Sequence, residues 1–442
     1  MLMGIAIYGE YFMGDWIFET KIIKKSIKPY AHFDMRTNLN KVRDYIKDVD
    51  KIATNSFYPF IHYEMRMEKY NKKKGHTIKS RDIYYAAHKD RCIFQYYAHL
   101  INEKYNEYVI HNGLNKVSVA YRDNLHESNI DSSKRAFDFI KSKGDSYVLI
   151  GDFKSFFDGL DHRYLKEQLM KVLGVDRLSE DYYAVFKNVT RFSFVELNDL
   201  LRLNGLKQTK KDIKKLNKQR QVLTKEEFRN NKSIVKKNIS GRGIPQGSPI
   251  SAVLANVYMA SADKMLNDYI KMNNGFYMRY SDDFIVVIPN TEDYKAMINH
   301  ILSIIKDVPN LILENKKTQI FSVKNNVVTN IGETIIKDAD SSNNEINFLG
   351  FTYDGLKIRL RAKTVGKYYY RMYRKAKVVA AKGGMGTGKL YRRYSERGSF
   401  GKEGNFFTYV RNVEKVYGED EQIRRDLRGN LGKIKRAIKG KI

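Results

Sequence analysis

Two adjacent acids set between two apolar runs constrain this chain more than any other feature. Tyr280-Ser281-Asp282-Asp283 follows Phe276-Tyr277-Met278 and precedes Phe284-Ile285-Val286-Val287-Ile288. Both flanks are rich in aromatic and β-branched residues. Each reads as a short buried strand, so the acids fall at the turn of a hairpin. Neighbouring carboxylates repel each other, and folding alone has no use for the pair there. A divalent cation would neutralise both. Phosphoryl transfer by two metals about 3.5–4 Å apart needs such a turn plus a carboxylate from elsewhere. Solvated turns also favour Asp, so the pair needs company before it means chemistry.

The third acid has a candidate in Asp152. It ends the apolar strand Ser146-Tyr147-Val148-Leu149-Ile150-Gly151, so its carboxylate sits where a buried strand emerges. Asp158 and Asp161 follow just before a helical pattern and suit structural roles, one of them an N-cap. Between these acids in sequence lies Gly241-Arg242-Gly243-Ile244-Pro245-Gln246-Gly247-Ser248-Pro249, which leads into the helix-forming run Ala252–Met259. Its glycines let backbone approach a ligand closely. Amides exposed at a helix start, with Gln246 beside them, suit a nucleotide and its template partner.

Together the three segments resemble a reverse transcriptase. Asp152-x-x-x-x-Phe157, Gly243-Ile244-Pro245-Gln246-Gly247-Ser248-Pro249 and Tyr280-Ser281-Asp282-Asp283 are similar to that family's motifs A, B and C, in order and spacing. Leu313-Glu314-Asn315-Lys316-Lys317-Thr318 resembles the motif carrying a palm lysine. Asn347-Phe348-Leu349-Gly350-Phe351 resembles the primer-grip hairpin, and Lys79-Ser80-Arg81 with Asp90-Arg91 the fingers segment. The resemblance covers roughly residues 30 to 370. It implies an α+β right-hand polymerase fold with a ferredoxin-like (RRM-like) palm, helical fingers and a helical thumb. The implied division is an extension over 1–28, fingers over 29–145, a palm over 146–355 and a basic thumb over 356–442.

The resemblance also assigns roles. Asp152, Asp282 and Asp283 would be the catalytic acids and hold two Mg²⁺ ions, with the Phe153 carbonyl as a further ligand and Mn²⁺ as the alternative ion. Arg81 and Lys317 would offset triphosphate charge, and Gln246 would line the nucleotide site. Phe157 would pack under the deoxyribose and leave no room for a 2′-hydroxyl, so dNTPs are the expected substrates and DNA the product. Phe348, Leu349, Gly350 and Phe351 would form the primer grip. Arg122 and Arg242 would contact nucleic acid.

Charge agrees with such a partner. The chain carries 80 Lys and Arg against 50 Asp and Glu, a net +30. Residues 357–442 hold 25 basic against 7 acidic side chains and so contribute +18 of it. An excess of this size favours polyanions and salt-sensitive binding. Within that tail Lys367, Tyr369, Arg371 and Arg374 interleave aromatic and basic groups, suiting stacking and phosphate contact together. Residues 30–145 read as mainly helical. Residues 195–240 form a second basic stretch, expected as a helical finger inserted in the palm or a mobile solvated insertion. Gly383–Lys389 nearly fits a phosphate-loop pattern but has Leu390 where Ser or Thr would bind magnesium, and reads as a flexible basic loop.

A single cysteine, Cys92, excludes an intrachain disulfide framework. No apolar run reaches membrane-spanning length, and acids interrupt the apolar residues of the first twenty positions, so neither membrane nor signal peptide is expected. A bacterial cytoplasmic protein of unspecified oligomeric state is the expectation. His32-Phe33-Asp34, Phe57-Tyr58-Pro59-Phe60, Ala120-Tyr121-Arg122 and Ser128-Asn129-Ile130-Asp131 look like bacterial defence-associated reverse transcriptases, closest to the second subtype. That likeness implies antiphage immunity and a structured noncoding RNA encoded beside the gene as template and scaffold, with an RNA–DNA duplex as product. The rivals are a template-independent polymerase of abortive-infection type, a retron-like or group II intron-like enzyme, an RNA-dependent RNA polymerase and a catalytically idle RNA-binding protein. Phe157 and the Gln246-Gly247-Ser248-Pro249 form argue against the RNA polymerase, and the three acids against the idle protein.

Overall fold

The computed structural model describes residues 15–71, 75–398, 400, 405–418, 423, 427 and 429–440. The chain divides into two compact units, each assembled from separate stretches: 1–115, 155–264 and 306–312 in the first, 116–154, 265–305 and 313–442 in the second. Of the expected extension over 1–28, residues 1–14 lie outside the described residues. The remainder includes a helix at Thr20–Ser26.

In the first unit, the expectation of a mainly helical 30–145 is corrected. Four strands interrupt it: β1 (Phe60–Glu64), β2 (Met67–Asn71), β3 (Gly75–Lys79) and β4 (Asp82–Tyr85). Tyr, Ile and Phe dominate β1 and β4, and such residues fit a pleated surface better than a helix. β1 pairs antiparallel with β4 and parallel with β6 (Ser193–Glu196), which pairs in turn with β7 (Lys236–Lys237). The long helix His88–His111 and the helix Ser251–Tyr258 belong to the same unit, and the second is buried along nearly its whole length.

The stretch 195–240 is not a free insertion. Val195, Leu200, Leu201, Leu216, Val222 and Leu223 are buried with Ala31, Phe33 and Ile61 in one apolar cluster. Each such aliphatic side chain removed from water contributes about 1.5–3 kcal/mol. Its lysines are exposed, so a charged composition conceals a packed interior.

The second unit is built on a five-stranded antiparallel sheet in the order β11-β10-β5-β9-β8. Its strands are β5 (Ser146–Asp152), β8 (Phe276–Tyr280), β9 (Asp283–Pro289), β10 (Gln319–Lys324) and β11 (Val327–Asn330). β5 and β9 are buried on both faces, which explains their unbroken apolar runs. The helix Asn129–Lys143 belongs to this unit. A capping box sets its start, in which Ser128 and Asp131 satisfy each other's backbone amides or those beside them.

After a small sheet of β12 (Ile346–Phe348), β13 (Phe351–Tyr353) and β14 (Ile358–Leu360), the chain forms the helices Ala362–Ala381, Thr387–Tyr394, Phe406–Tyr417 and Asn430–Ile438. Val365, Tyr368, Met372, Phe407, Val410 and Ile434 join Val148, Ile285 and Phe321 in one core. The expected flexible loop at 383–389 is a tight joint between two of these helices, with Gly383, Gly384 and Gly386 in left-handed conformations. No described helix is long and apolar enough to cross a membrane.

Candidate active site

Strand register brings the acids together. β5 and β9 run antiparallel with Asp152 directly opposite Asp283 and Gly151 opposite Phe284. Side chains so placed have Cβ atoms about 4.5–5.5 Å apart, and like charges there repel. Asp282 occupies the two-residue turn between β8 and β9, where Tyr280 pairs with Asp283. The Phe153 amide donates to the Asp282 carbonyl at 3.3 Å, and the Phe153 ring stacks on Phe284 at 5.3 Å. Gly151 is required for this closeness. A Cβ there would lie 2.4 Å from the Phe284 ring and 3.0 Å from Leu313.

The turn is strained and braced. Ser281 takes φ 63°, a left-handed conformation that costs a non-glycine residue roughly 1–2 kcal/mol. Arg279, fully buried, donates from Nη1 to the Ser281 carbonyl at 2.9 Å and from Nη2 to Ser118 Oγ at 3.1 Å. The Tyr121 hydroxyl and Ser281 Oγ are 3.2 Å apart. Sequence reading missed Arg279, although a signal was present: one arginine inside an otherwise apolar strand, Phe276-Tyr277-Met278-Arg279-Tyr280.

The electrostatics of the cluster are unbalanced. Asp283 is pushed up to about 7 by desolvation first, then by Asp282 and Asp152, against the opposing pull of Lys317 and Arg361. Its side chain is nonetheless open to solvent, which weakens the desolvation and leaves the two neighbouring carboxylates as the stronger influence. Asp282 is raised as well, by desolvation and then by Asp152. Lys317, on a short turn at Asn315–Lys317, donates to Asp152 Oδ2. Desolvation works to lower the Lys317 pKa, but the bond and charge of Asp152 prevail and raise it. The Asp152 carbonyl accepts from the Glu314 amide at 2.8 Å, which fixes this turn beside β5.

Among the described residues, no three carboxylate, imidazole or thiol groups already converge as a ligand set. The donor chemistry still fits a hard divalent cation. Three carboxylates and a backbone carbonyl offer only oxygen, and the repulsion that raises Asp282 and Asp283 is what such an ion relieves.

The other expected site residues fall as follows. Arg81, Phe157, Gln246 and Arg242 belong to the first unit. Phe157 is half-buried beside Phe156, and its carbonyl accepts from the Ile244 amide at 3.0 Å. The Gln246 carbonyl accepts from the Tyr84 amide at 2.8 Å, and its side-chain amide reaches Asp158 at 3.5 Å. Gly247 has φ 112°, and a Cβ there would meet the Tyr84 carbonyl at 2.5 Å, so the loop admits no side chain at that position. Arg81 is exposed and its amide bonds the Met65 carbonyl; Arg242 is exposed at the rim of the 241–249 loop. Asp161 is the N-cap of the helix His162–Leu173.

Three expectations need correction. Arg122 is only 4% exposed, with Nη1 on the Ser118 carbonyl, so it supports the Ser118–Arg279 region instead of meeting nucleic acid. Phe348 and Phe351 are core residues, and only Leu349 and Gly350, with φ 47° and 97°, present backbone at the turn of that hairpin. The Asn129 amide holds the Leu349 carbonyl at 3.0 Å. The basic residues of Ala362–Ala381 divide between two faces. Lys367 and Arg371 line an open groove of about 1410 Å³ together with Arg361, Lys389, Arg392 and Arg397. Tyr369 instead accepts from Lys433 at 2.8 Å, and Arg374 lies over Tyr370.

The family model of the reverse transcriptase (RNA-dependent DNA polymerase) matches residues 41–353. No curated protein sequence matches the chain. Among solved structures, apo telomerase from Candida tropicalis truncated from its C-terminal domain is similar at 12% identity and TM-score 0.44, over 78% of this chain and 66% of that one. The longer apo telomerase of Candida tropicalis gives 12% and 0.42, over 96% and 69%. Candida albicans telomerase in complex with a TWJ fragment of telomeric RNA gives 13% and 0.41, over 96% and 72%. The chain thus spans about two thirds of the length of these structures.

Proposed function

The chain belongs to the reverse transcriptase family, with its right-hand polymerase fold, and we propose that it copies an RNA template into DNA by nucleotidyl transfer at Asp152, Asp282 and Asp283. One observation carries the reading: Asp152 and Asp283 face each other in strand register, with Asp282 on the adjoining turn, inside the span of the family model. Asp152, Asp282, Asp283 and the Phe153 carbonyl would hold the divalent ions, Mg²⁺ above all. When bound, such ions activate the primer 3′-hydroxyl and stabilise the departing pyrophosphate.

The chain's own groups supply the rest. Lys317 places an ammonium beside Asp152, where triphosphate charge can be offset. Arg279 keeps the strained turn from relaxing, so the carboxylates do not have to be positioned at each turnover. Arg81, Phe157 and Gln246 keep the roles the resemblance gives them, in triphosphate charge, sugar selection and nucleotide seating. A phenyl ring at Phe157 makes DNA the product. The groove lined by Lys367, Arg371 and Arg392 receives nucleic-acid backbone.

We read the RNA as a structured noncoding transcript encoded beside the gene, and the biological role as antiphage defence. Support for this finer reading is the resemblance alone. Several of its residues build the first unit: Asp34 accepts from the His88 and Lys89 amides at 2.9 and 2.7 Å, and His32 is buried. The test is to purify the protein with the nucleic acid that accompanies it, add dNTPs and Mg²⁺, and sequence both RNA and new DNA. One discrete RNA, with DNA complementary to part of it and none from the Asp282→Asn/Asp283→Asn protein, is the expected result. DNA unrelated to the RNA would replace the reading with template-independent synthesis.

A further inference from the structure

We propose that a cavity in the first unit, walled by Tyr45, Phe57, Tyr58 and Phe228, holds one unstacked base of an RNA strand. The cavity measures about 440 Å³, within the range of small-molecule pockets and far smaller than the basic groove. Its lining combines aromatic faces with Asn55, the hydroxyls of Thr54 and Ser56, and the ammonium of Lys89, and includes no carboxylate. Proteins that read unpaired RNA use this combination, stacking a base on an aromatic ring and bonding its edge with amides and hydroxyls.

The walls are fixed in advance. Phe57 stacks on Phe94 at 5.3 Å and 20°, and Tyr58 on Phe33 at 6.0 Å and 15°. Phe33 in turn contacts Phe228 at 4.8 Å. Lys89 lies 4.4 Å from the centre of the Tyr45 ring and donates to its hydroxyl at 3.3 Å, while Asp34 holds the Lys89 backbone amide. The Tyr45 hydroxyl donates to Asn55 Oδ1 at 2.8 Å. Asn55 Nδ2 reaches Asp90 Oδ1 at 3.5 Å, and Asp90 Oδ2 accepts from the Tyr58 amide at 2.8 Å. Asp90 is 1% exposed, so a buried carboxylate anchors the floor through two of the lining residues. A pocket whose rings and amide are already held loses little freedom on binding.

The assignment to an RNA strand rests on the function proposed above; the preference for a base rests on the lining itself. The experiment uses the full chain and two labelled probes, a random-sequence single-stranded 12-nucleotide RNA and a 12-base-pair RNA duplex. Tyr45→Ala removes one wall, and Ser56→Trp fills the cavity from an exposed position. Both variants are expected to bind the single strand about tenfold more weakly, the loss of one stacked base, with duplex affinity unchanged in both and melting temperature unchanged in Ser56→Trp. AMP or UMP in excess should displace the single strand from the unaltered protein. Equal single-strand affinity in both variants would overturn the pocket, as would an equal loss on duplex, which marks backbone contact. A monophosphate that binds without displacing RNA would move the site to free nucleotides and overturn the strand. Absence of DNA synthesis by the unaltered protein on poly(rA) primed with oligo(dT) counts against the function and leaves the pocket measurement standing.

Discussion

Asp283 at the tip of a hairpin and Asp90 in the first turn of His88–His111 are both pushed up to about 7, Asp90 chiefly by burial, Asp283 by partial desolvation together with the charge of two neighbouring carboxylates. Their surroundings differ in every other respect. Asp90 is sealed, and each of its oxygens accepts a hydrogen bond. Asp283 stays open to solvent and faces two more carboxylates, with Lys317 and Arg361 opposing them. A buried acid with its hydrogen bonds satisfied is a piece of architecture. An open acid with like charge left unrelieved is a group that a cation would settle. A raised pKa therefore does not separate function from structure; the partners around the group do.

The strongest way to break the comparison is to neutralise each acid in turn. Asp152→Asn, Asp282→Asn and Asp283→Asn should each reduce primer extension by about 10³-fold or more, since several kcal/mol of transition-state stabilisation pass through these oxygens. Melting temperatures should hold or rise as repulsion is relieved. Asp90→Asn should do the reverse and lower stability by about 1–2 kcal/mol, because an amide can serve only one of its two donors. The folded molecules that remain should keep their kcat. A full-strength Asp283→Asn enzyme would remove the acids from the chemistry.

The next effect tests the frame that holds the open acids. Gly151→Ala should destabilise the second unit by about 1–3 kcal/mol through overpacking against Phe284, and reduce extension further than stability explains. Arg279→Met leaves the Ser281 carbonyl buried without its donor, at about 1–3 kcal/mol, with the loss mainly in kcat. Normal extension by folded Arg279→Met protein would mean that the turn needs no brace.

How much of this was legible in the sequence follows from range. The hairpin and its acids were readable because apolar strand, turn and apolar strand follow one another between Phe276 and Pro289. Asp152 was readable only as an acid where a buried strand emerges; its register opposite Asp283 is set by packing across 130 residues of intervening chain and has no local mark. Arg279 showed as a break in pattern but had no visible partner. Arg122, Phe348 and Phe351 failed as surface contacts for one reason, that residue type does not reveal which face of an element is buried. Residues 195–240 hid their interior because leucines spaced among lysines read as a solvated run. The aromatic cavity draws on residues 45, 54–59, 89 and 228, so no short window of sequence contains it.

A smaller effect is expected where charge is spread over an open surface. Lys367, Arg371 and Arg392 line the groove, and replacing each by Gln should give losses that accumulate. Each neutralised phosphate contact should lower the salt dependence of duplex binding by about one, with extension at saturating duplex nearly unchanged. Measuring log affinity against log salt for the single, double and triple variants checks it. An unchanged slope in the triple variant would leave the groove outside the nucleic-acid path.

The smallest effect separates the two acids by pH, measured on metal-free protein. An acid raised to about 7 in the folded state holds its proton there while the unfolded chain has already lost it. The folded state therefore binds more protons between about pH 4 and 7, and stability falls with rising pH across that window, then levels above it. Asp90→Asn removes its share, so its deficit against the unaltered protein should be larger at pH 5 than at pH 8. Asp34 and Lys89, the other charges that act on Asp90, are the same in both proteins. Mg²⁺ should then distinguish the pair. It should raise the melting temperature by a few degrees at most, more at pH 8 than at pH 6 because protons compete for the same oxygens. Asp283→Asn should abolish most of that rise, and Asp90→Asn should leave it intact. A Mg²⁺ response that survives Asp283→Asn and disappears with Asp90→Asn would reverse the assignment of the two carboxylates.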